Sequence, residues 1–245
     1  MTSKVLIHEE NKILQLTINR PEVRNALDIE TYTALTQALE STLGRDDLHA
    51  IILTGSANYF TAGNDIRDFQ KDPPEVSPGM LFLSMLNKVD IPLIAAVEGG
   101  AVGIGVTMLL HCDFVFVGNS TRLQMPFVPL SLCPEGASSL LLAQYVGIRK
   151  ANEWLYRGKP FSAKEAYESG LISTLTEDGA ALKEAQNLAQ EFAASSLFSL
   201  KSTKTLLKKQ QGVLIDETLK QERQSFRACL RTEQAQAKFK QFFEK

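Results

Sequence analysis

The sequence predicts an α/β fold that carries a helical C-terminal region, and three observations lead there. Strand-like and helix-like patterns alternate from residue 12 to residue 118, one strand candidate, "AIILTGS" (50–56), is apolar throughout, and strand patterns stop beyond about Gly179. Alternation of this kind implies parallel pairing through right-handed crossovers, and a continuously apolar strand is one covered on both faces.

Taken in order, "KVLIHEE" reads as a short first strand. "KILQLTIN" (12–19) reads as a half-buried one, because Leu14, Leu16 and Ile18 alternate with Gln15, Thr17 and Asn19. In "IETYTALTQALESTLGRDD", Tyr32, Leu35, Leu39 and Leu43 recur at helical spacing, with Asp28 as N-cap and Gly44 as C-cap. After the 50–56 strand the cycle repeats. Helix "SPGMLFLSMLNKV", with Pro78 at its first position, leads to strand "PLIAAVEG", and helix "IGVTMLLHC" leads to strand "DFVFVGN". "SAKEAYESGL" holds a capping box, Ser162 with Glu165, and ends at Gly170. Beyond Gly179 four helical segments have only partial apolar stripes, so they are expected to pack on the first unit or on another subunit. The loop "KDPPEVSP" (71–78) is expected to be exposed.

Composition narrows the function. The chain has 245 residues, 44% of them hydrophobic, and 26 basic side chains balance 28 acidic ones for a net charge of −2. That suits a small-molecule site better than a nucleic-acid surface, and no apolar stretch reaches the length of a membrane span. The N-terminal "MTSKVLIHEENK" meets charge before any long apolar run, so no secretory signal is expected. Cys112, Cys133 and Cys229 are odd in number and lack a C-x-x-C pair. Neither a disulfide framework nor a zinc site follows, and a reducing, cytoplasmic location is expected.

Two glycine-bearing stretches could carry chemistry. "NYFTAGNDIRDF" (58–69) follows a strand, and "VEGGAVGIGVTMLL" (97–110) passes from a strand through glycines into a helix start. Unpaired amides at such places attract oxygen anions, and the two together could form a two-donor oxyanion hole, although each alone is also an ordinary packing device. "GGAVGIG" is neither G-x-G-x-x-G nor a Walker A loop, no Ser or Cys sits in a nucleophile elbow, and no His or carboxylate cluster suggests a metal. His8, His49, His111 and Asp113 read as structural or surface groups, while Glu98 is placed where it could face the site. Glu135 stands alone in the uncharged run "PLSLCPEGASS" (129–139), where Pro-Glu-Gly is equally good turn chemistry.

The ordered segments "TINRPEVRNALD", "AIILTGSANYFTAGNDIRDF", "PLIAAVEGGAVGIGVTMLLHCDFVFVGNSTRLQMPFVPLSLCPEGASS" and "RGKPFSAKEAYESGLIS" together resemble the crotonase, or enoyl-CoA hydratase/isomerase, superfamily. The resemblance implies a ClpP-like spiral of β-β-α units over 1–180, a C-terminal helical trimerisation region over 181–245, and a homotrimer or dimer of trimers. It also implies an acyl-CoA thioester as ligand, with coenzyme A as part of the substrate and no separate cofactor. The oxyanion donors it implies are the amides of Asn64 and Ile104. Arg24, Ala26 and the run Ala62, Gly63, Asn64, Asp65 and Ile66 match positions that bind the CoA phosphates and adenine.

Hydratases of this superfamily use two glutamates, which in register fall on Thr107 and Phe127. Neither side chain can do carboxylate work near neutral pH. The resemblance is nearer to the peroxisomal-type Δ3,Δ2-enoyl-CoA isomerases and their bacterial relatives, whose catalytic glutamate lies in a "PEG" segment, here Glu135. Moving a double bond needs one proton taken and one returned, which a single carboxylate can do if an apolar pocket raises its pKa. Met125, Phe127, Leu130 and Leu132 are the expected lining of that pocket, with acyl chain length set by the loop and helix over 71–89. The implied activity is therefore conversion of 3-enoyl-CoA to 2-trans-enoyl-CoA in β-oxidation. One alternative is hydration of a less common acyl-CoA, and another is a non-catalytic CoA-binding scaffold. The closing "FFEK" is no peroxisomal tripeptide, and a bacterial cytoplasm is expected.

Overall fold

The computed structural model describes residues 3–70, 77–208 and 211–243. Most of the loop expected over 71–78 thus lies outside the described residues. Strands β1 (Val5–Glu10) and β2 (Ile13–Ile18) pair antiparallel through a two-residue turn, Asn11 (φ 52°) and Lys12 (φ 67°). Left-handed residues at both turn positions match the twist of a hairpin. Helix α1 (Ile29–Glu40) starts at Asp28, whose Oδ1 accepts the Thr31 amide at 2.9 Å, and ends at Ser41 rather than at Gly44. Gly44 (φ 72°) instead closes the turn that follows. Strand β3 (Ala50–Gly55), helix α2 (Pro78–Lys88) and strand β4 (Leu93–Val97) lie where the sequence pattern puts them.

Strand β5 (Gly100–Val102) then enters helix α3 (Ile104–Thr107), which tightens into a 3₁₀ turn at Met108–His111. Strands β6 (Phe114–Gly118) and β7 (Arg122–Gln124) follow, and then helices α4 (Ser138–Val146) and α5 (Ile148–Arg157). The two-residue strand β8 (Phe161–Ser162), helix α6 (Ala163–Glu168) and strand β9 (Thr174–Thr176) complete the first region. The Ser162 hydroxyl caps α6 through the Glu165 amide at 3.1 Å, while the Glu165 carboxylate turns to Trp154 Nε1 and Lys150. Four helices end the chain: α7 (Ala181–Ala193), α8 (Leu197–Lys208), α9 (Gly212–Leu230) and α10 (Glu233–Phe243).

The strands form a spiral. One sheet runs β1-β2-β3-β4-β6-β9, parallel except at β1, and a second runs β5-β7-β8. Each turn adds one strand to the large sheet and one extended segment to the small one: β3 then Thr61, β4 then β5, β6 then β7. The parallel bridges Leu27↔Asn64 and Thr61↔Ala101 extend the small sheet across successive turns.

Both faces of the large sheet are covered, which is why "AIILTGS" has no polar alternation. Leu16, Ile51, Leu53, Ala95 and Val117 point into the main core. Their neighbours Ala50, Ile52, Ile94, Ala96 and Phe116 pack against Ala181, Ala185 and Ala189 of α7. Alanines four residues apart form one smooth helix face, so α7 lies close on the sheet. Helix α9 adds Ile215, Leu219 and Leu230 to the main core.

Candidate active site

The two glycine-bearing stretches run side by side. The Val102 amide donates to Thr61 O at 3.1 Å, and the parallel bridge Thr61↔Ala101 carries Asn64 and Ile104 the same number of residues beyond it. Gly63 (φ 87°) allows the approach, since a Cβ there would lie 2.4 Å from Val102 O. Among the described residues, neither the Asn64 nor the Ile104 amide donates to a protein acceptor. Ile104 is the first residue of α3, where an amide has no partner in its own helix.

The segment implied to hold coenzyme A is built by three hydrogen bonds between two neighbouring strands of chain. Ala62 N donates to Arg24 O, Leu27 N to Gly63 O and Asp65 N to Leu27 O, at 2.8 to 2.9 Å. This brings Arg24, Ala26, Ala62, Gly63 and Asn64 together, with the Arg24 side chain exposed. The Asp65 carboxylate is committed elsewhere: it accepts from Arg67 at 2.6 and 2.8 Å and from Arg20 at 3.3 Å. Those guanidinium contacts, Arg67 foremost, hold its pKa below the usual carboxylate range. Ile66 packs on the edge of the core.

Glu135 faces this strip across a mostly apolar cavity of about 200 Å³. Its Oε1 accepts from Asn64 Nδ2 at 3.0 Å, and Asn64 Oδ1 accepts from the Tyr32 hydroxyl at 2.5 Å. The Asn64 side chain therefore joins the residue of the candidate oxyanion amide to the candidate base. Burial, and after it the charge of Glu222, push the Glu135 carboxyl up to about 8 against the opposing Asn64 bond. The Tyr32 phenol is raised as well, chiefly by burial and then by the Glu135 charge, so it stays a donor.

The cavity walls differ from the expected ones. Met80 and Leu83 of α2, Tyr32 of α1, and Leu219 and Phe226 of α9 line the cavity that Glu135 also lines. Met125, Phe127 and Leu132 belong to the main core, with Leu130 packed against it. A 3₁₀ turn at Val128–Leu130, closed by Leu132 N donating to Phe127 O at 2.8 Å, turns those side chains inward. Glu98 does not face the site either: its Oε1 accepts the amides of Gly179 and Ala181 at 3.0 and 3.1 Å, at the start of α7.

Of the two positions that the resemblance assigns to hydratase glutamates, 107 is closed. Thr107 is fully buried, and a Cβ on Gly136 (φ 74°) would sit 2.7 Å from its Oγ1, so the Pro-Glu-Gly loop occupies the space a longer side chain at 107 would need. His111 is structural: its Nε2 donates to Gly136 O at 2.8 Å, and burial lowers its pKa to about 4, leaving it neutral. Asp113 accepts from Leu93 N at 2.7 Å and from Lys204 at 2.6 Å. Cys112 and Cys133 are pushed up to about 12, mainly by burial, and are unreactive thiols at neutral pH. No group of three or more potential metal ligands occurs among the described residues. None of their helices is long and apolar enough to cross a membrane.

The sequence reading missed Glu222. This buried carboxylate of α9 lines the same cavity as Glu135 and accepts from Ala137 N at 2.6 Å, Ser139 N at 2.8 Å and Ser139 Oγ at 2.6 Å. A signal was available: with Ile215 and Leu219 it continues the buried stripe at i, i+4 and i+7, where an apolar residue is the norm.

Comparison with known proteins agrees with this geometry. The 2,3-dehydroadipyl-CoA hydratase of Escherichia coli is 30% identical over 248 residues, covering 99% of the chain and 96% of that protein. Human enoyl-CoA delta isomerase 2 is 31% identical over 216 residues, 84% of the chain and 55% of that protein. The structure of Pseudomonas aeruginosa OdaA superimposes over 100% of both chains with a TM-score of 0.96 at 36% identity. The sequence profile of the enoyl-CoA hydratase/isomerase family matches residues 8–245. A spiral of paired strands, two unpaired amides beside a buried carboxyl, and a profile match over nearly the whole chain lead to one conclusion: the protein is a crotonase-fold member of the enoyl-CoA hydratase/isomerase family.

Proposed function

We propose that the enzyme shifts the double bond of a 3-enoyl-CoA to give the 2-trans-enoyl-CoA, as β-oxidation of unsaturated acyl chains requires. The observation that carries this reading is Glu135: a carboxyl in an apolar cavity with a pKa of about 8, hydrogen-bonded to the residue whose amide is the candidate oxyanion donor. The thioester carbonyl accepts from the amides of Asn64 and Ile104. The Glu135 carboxylate takes a proton from C2, electron density moves from that C–H bond through C2 to the thioester oxygen, and a dienolate forms. The two amides stabilise its charge, each by about 2.7 to 4 kcal/mol. Glu135, now protonated, returns a proton to C4 as the double bond settles between C2 and C3. A pKa near the working pH suits a group that must act as base and then as acid. No separate cofactor enters these steps, because coenzyme A is part of the substrate. Arg24, Ala26 and Ala62 to Ile66 are the proposed CoA contacts. A trimer, or a dimer of trimers, is supported by the exposed Phe198, Leu206, Leu207 and Val213.

Hydration is the second reading, because Glu222 is a second carboxylate on the same cavity and one similar protein is named as a hydratase. Both oxygens of Glu222 are taken up by amides, which favours isomerisation. The test assays purified protein on a 3-enoyl-CoA, following the conjugated thioester, in parallel with crotonyl-CoA hydration. Isomerisation well above hydration, lost in Glu135→Gln, is expected. Hydration as fast as isomerisation in the wild type would replace the first reading with the second.

A further inference from the structure

We infer that Glu222 is a positioning residue for the reaction: from the C-terminal helix α9 it supplies the N-terminal cap that α4 lacks, and so holds the loop on which Glu135 is presented to Asn64. The inference rests on the proposed role of Glu135 as the proton-transfer group.

Helix α4 begins badly by local rules. Its N-cap is Ala137, left-handed at φ 56° and without a side chain that could accept from the first turn. The first amides of a helix have no partner in their own helix, and a cap normally comes from a Ser, Thr, Asp or Asn at the N-cap itself. Here it comes from 85 residues away. Glu222 Oε2 accepts Ala137 N, and Oε1 accepts both Ser139 N and Ser139 Oγ. Hydrogen bonds to an ionised acceptor are the stronger kind, and negative charge is favoured at a helix start. Together with the His111 bond to Gly136 O, this anchors residues 136, 137 and 139, directly after Glu135. The loop needs such anchors, since Gly136 and Ala137 are both at positive φ.

A second consequence is electrostatic. Glu222 and Glu135 line one cavity; burial raises the Glu222 carboxyl against its bonds from Ser139 and Ala137, and the charge it carries when ionised, after burial, keeps Glu135 protonated to higher pH. Other ionisable groups face the pair: Tyr32 from α1, Asp65 and Asp68 from the turn after Asn64, and Arg223 and Arg227 from α9 itself. Cys133 contacts the Glu222 backbone carbonyl. None of these accepts from Ala137 or Ser139, so the cap belongs to Glu222 alone among the described residues.

The test compares wild type, Glu222→Gln, Glu222→Asp and Glu135→Gln. Glu222→Gln keeps the shape but removes the charge and presents an amide N–H to at least one of the capped donors. The expected result is a tenfold or greater fall in kcat, with KM for the acyl-CoA little changed and the ascending limb of the pH–rate profile moved to lower pH. The Glu135 carboxyl, followed by ¹³C NMR, should titrate lower in the same variant. Glu222→Asp keeps the charge but falls short of α4, so kcat should drop with less movement of the titration. Wild-type kcat and an unmoved Glu135 titration in a folded Glu222→Gln protein would overturn the inference. If that variant does not fold, unchanged kcat in Glu222→Asp overturns it equally. Glu135→Gln separates the two ideas: full activity there removes the role of Glu135, whereas its loss beside an unaffected Glu222→Gln removes only that of Glu222.

Discussion

Replacing Glu135 by Gln should change both turnover and the pH dependence of stability, and the two effects have one cause. In the folded protein the carboxyl has a pKa of about 8 against an ordinary value of 4.5, because it is buried and faces the charge of Glu222. A group whose folded pKa is raised binds its proton more tightly in the folded state. Its contribution to stability is complete below pH 4.5 and is lost as pH rises through about 8. At about 1.4 kcal/mol per pH unit, the gap between the two values amounts to about 5 kcal/mol, of which about 2 to 3 is lost between pH 6 and 9. For a chain of this size that is about 5 to 10 °C in melting temperature. Gln has the same shape, can accept the Asn64 bond and has no proton to lose. Thermal unfolding of wild type and Glu135→Gln across pH 6 to 9 should therefore diverge, with the wild type falling by that margin relative to the variant. Turnover in the proposed isomerisation should fall by about 10² to 10⁴ in the variant. Wild-type kcat/KM should rise with pH through about 8 as the base form appears. Parallel melting curves, or turnover within tenfold of wild type, would refute the placement of a raised, proton-transferring carboxyl at this position.

Three further outcomes follow from the geometry. Gly63→Ala should disturb the proposed oxyanion strip, because the new Cβ would lie 2.4 Å from Val102 O at φ 87°. A kcat loss of tenfold or more, with a destabilisation of about 1 to 3 kcal/mol in urea unfolding, is expected. Lys204→Ala leaves Asp113 without the 2.6 Å partner that ties α8 to β4 and β6, and should cost about 3 kcal/mol of stability by urea unfolding with KM unchanged. Light scattering of the wild type is expected to show a trimer of the 27.1 kDa chain, or twice that, and Leu206→Glu with Leu207→Glu should shift it to smaller species.

Much of the fold could be read from period and punctuation. The alternation of Leu14, Leu16 and Ile18, the unbroken "AIILTG", the caps at Asp28 and Ser162, and Pro78 at the start of α2 are local signals, and each depends on neighbouring residues only. The small sheet left no such trace. Strands of two or three residues, β5, β7 and β8, are too short to show a period, and they exist because successive turns of the spiral place them together. Helix α4 was equally hidden, since its cap arrives from α9.

The same division runs through the site. Sequence by itself determined the residue types on offer: glycine-bearing stretches around Asn64 and Ile104, no carboxylate at 107 or 127, and one glutamate in "CPEGASS", to which only the resemblance gives roles. Residue types and glycine placement are legible because they are properties of short segments, while spacing alone leaves Glu135 a turn residue. Only the tertiary structure decided how Glu135 behaves. Its raised pKa comes from burial and from the charge of Glu222, in a cavity that Leu83, Leu219 and Phe226 also line, and its orientation from Asn64, residues 52 to 91 positions away along the chain, or 71 in the case of Asn64. Desolvation and Coulomb energies depend on distances in space, and those exist only once the C-terminal helices have closed over the spiral.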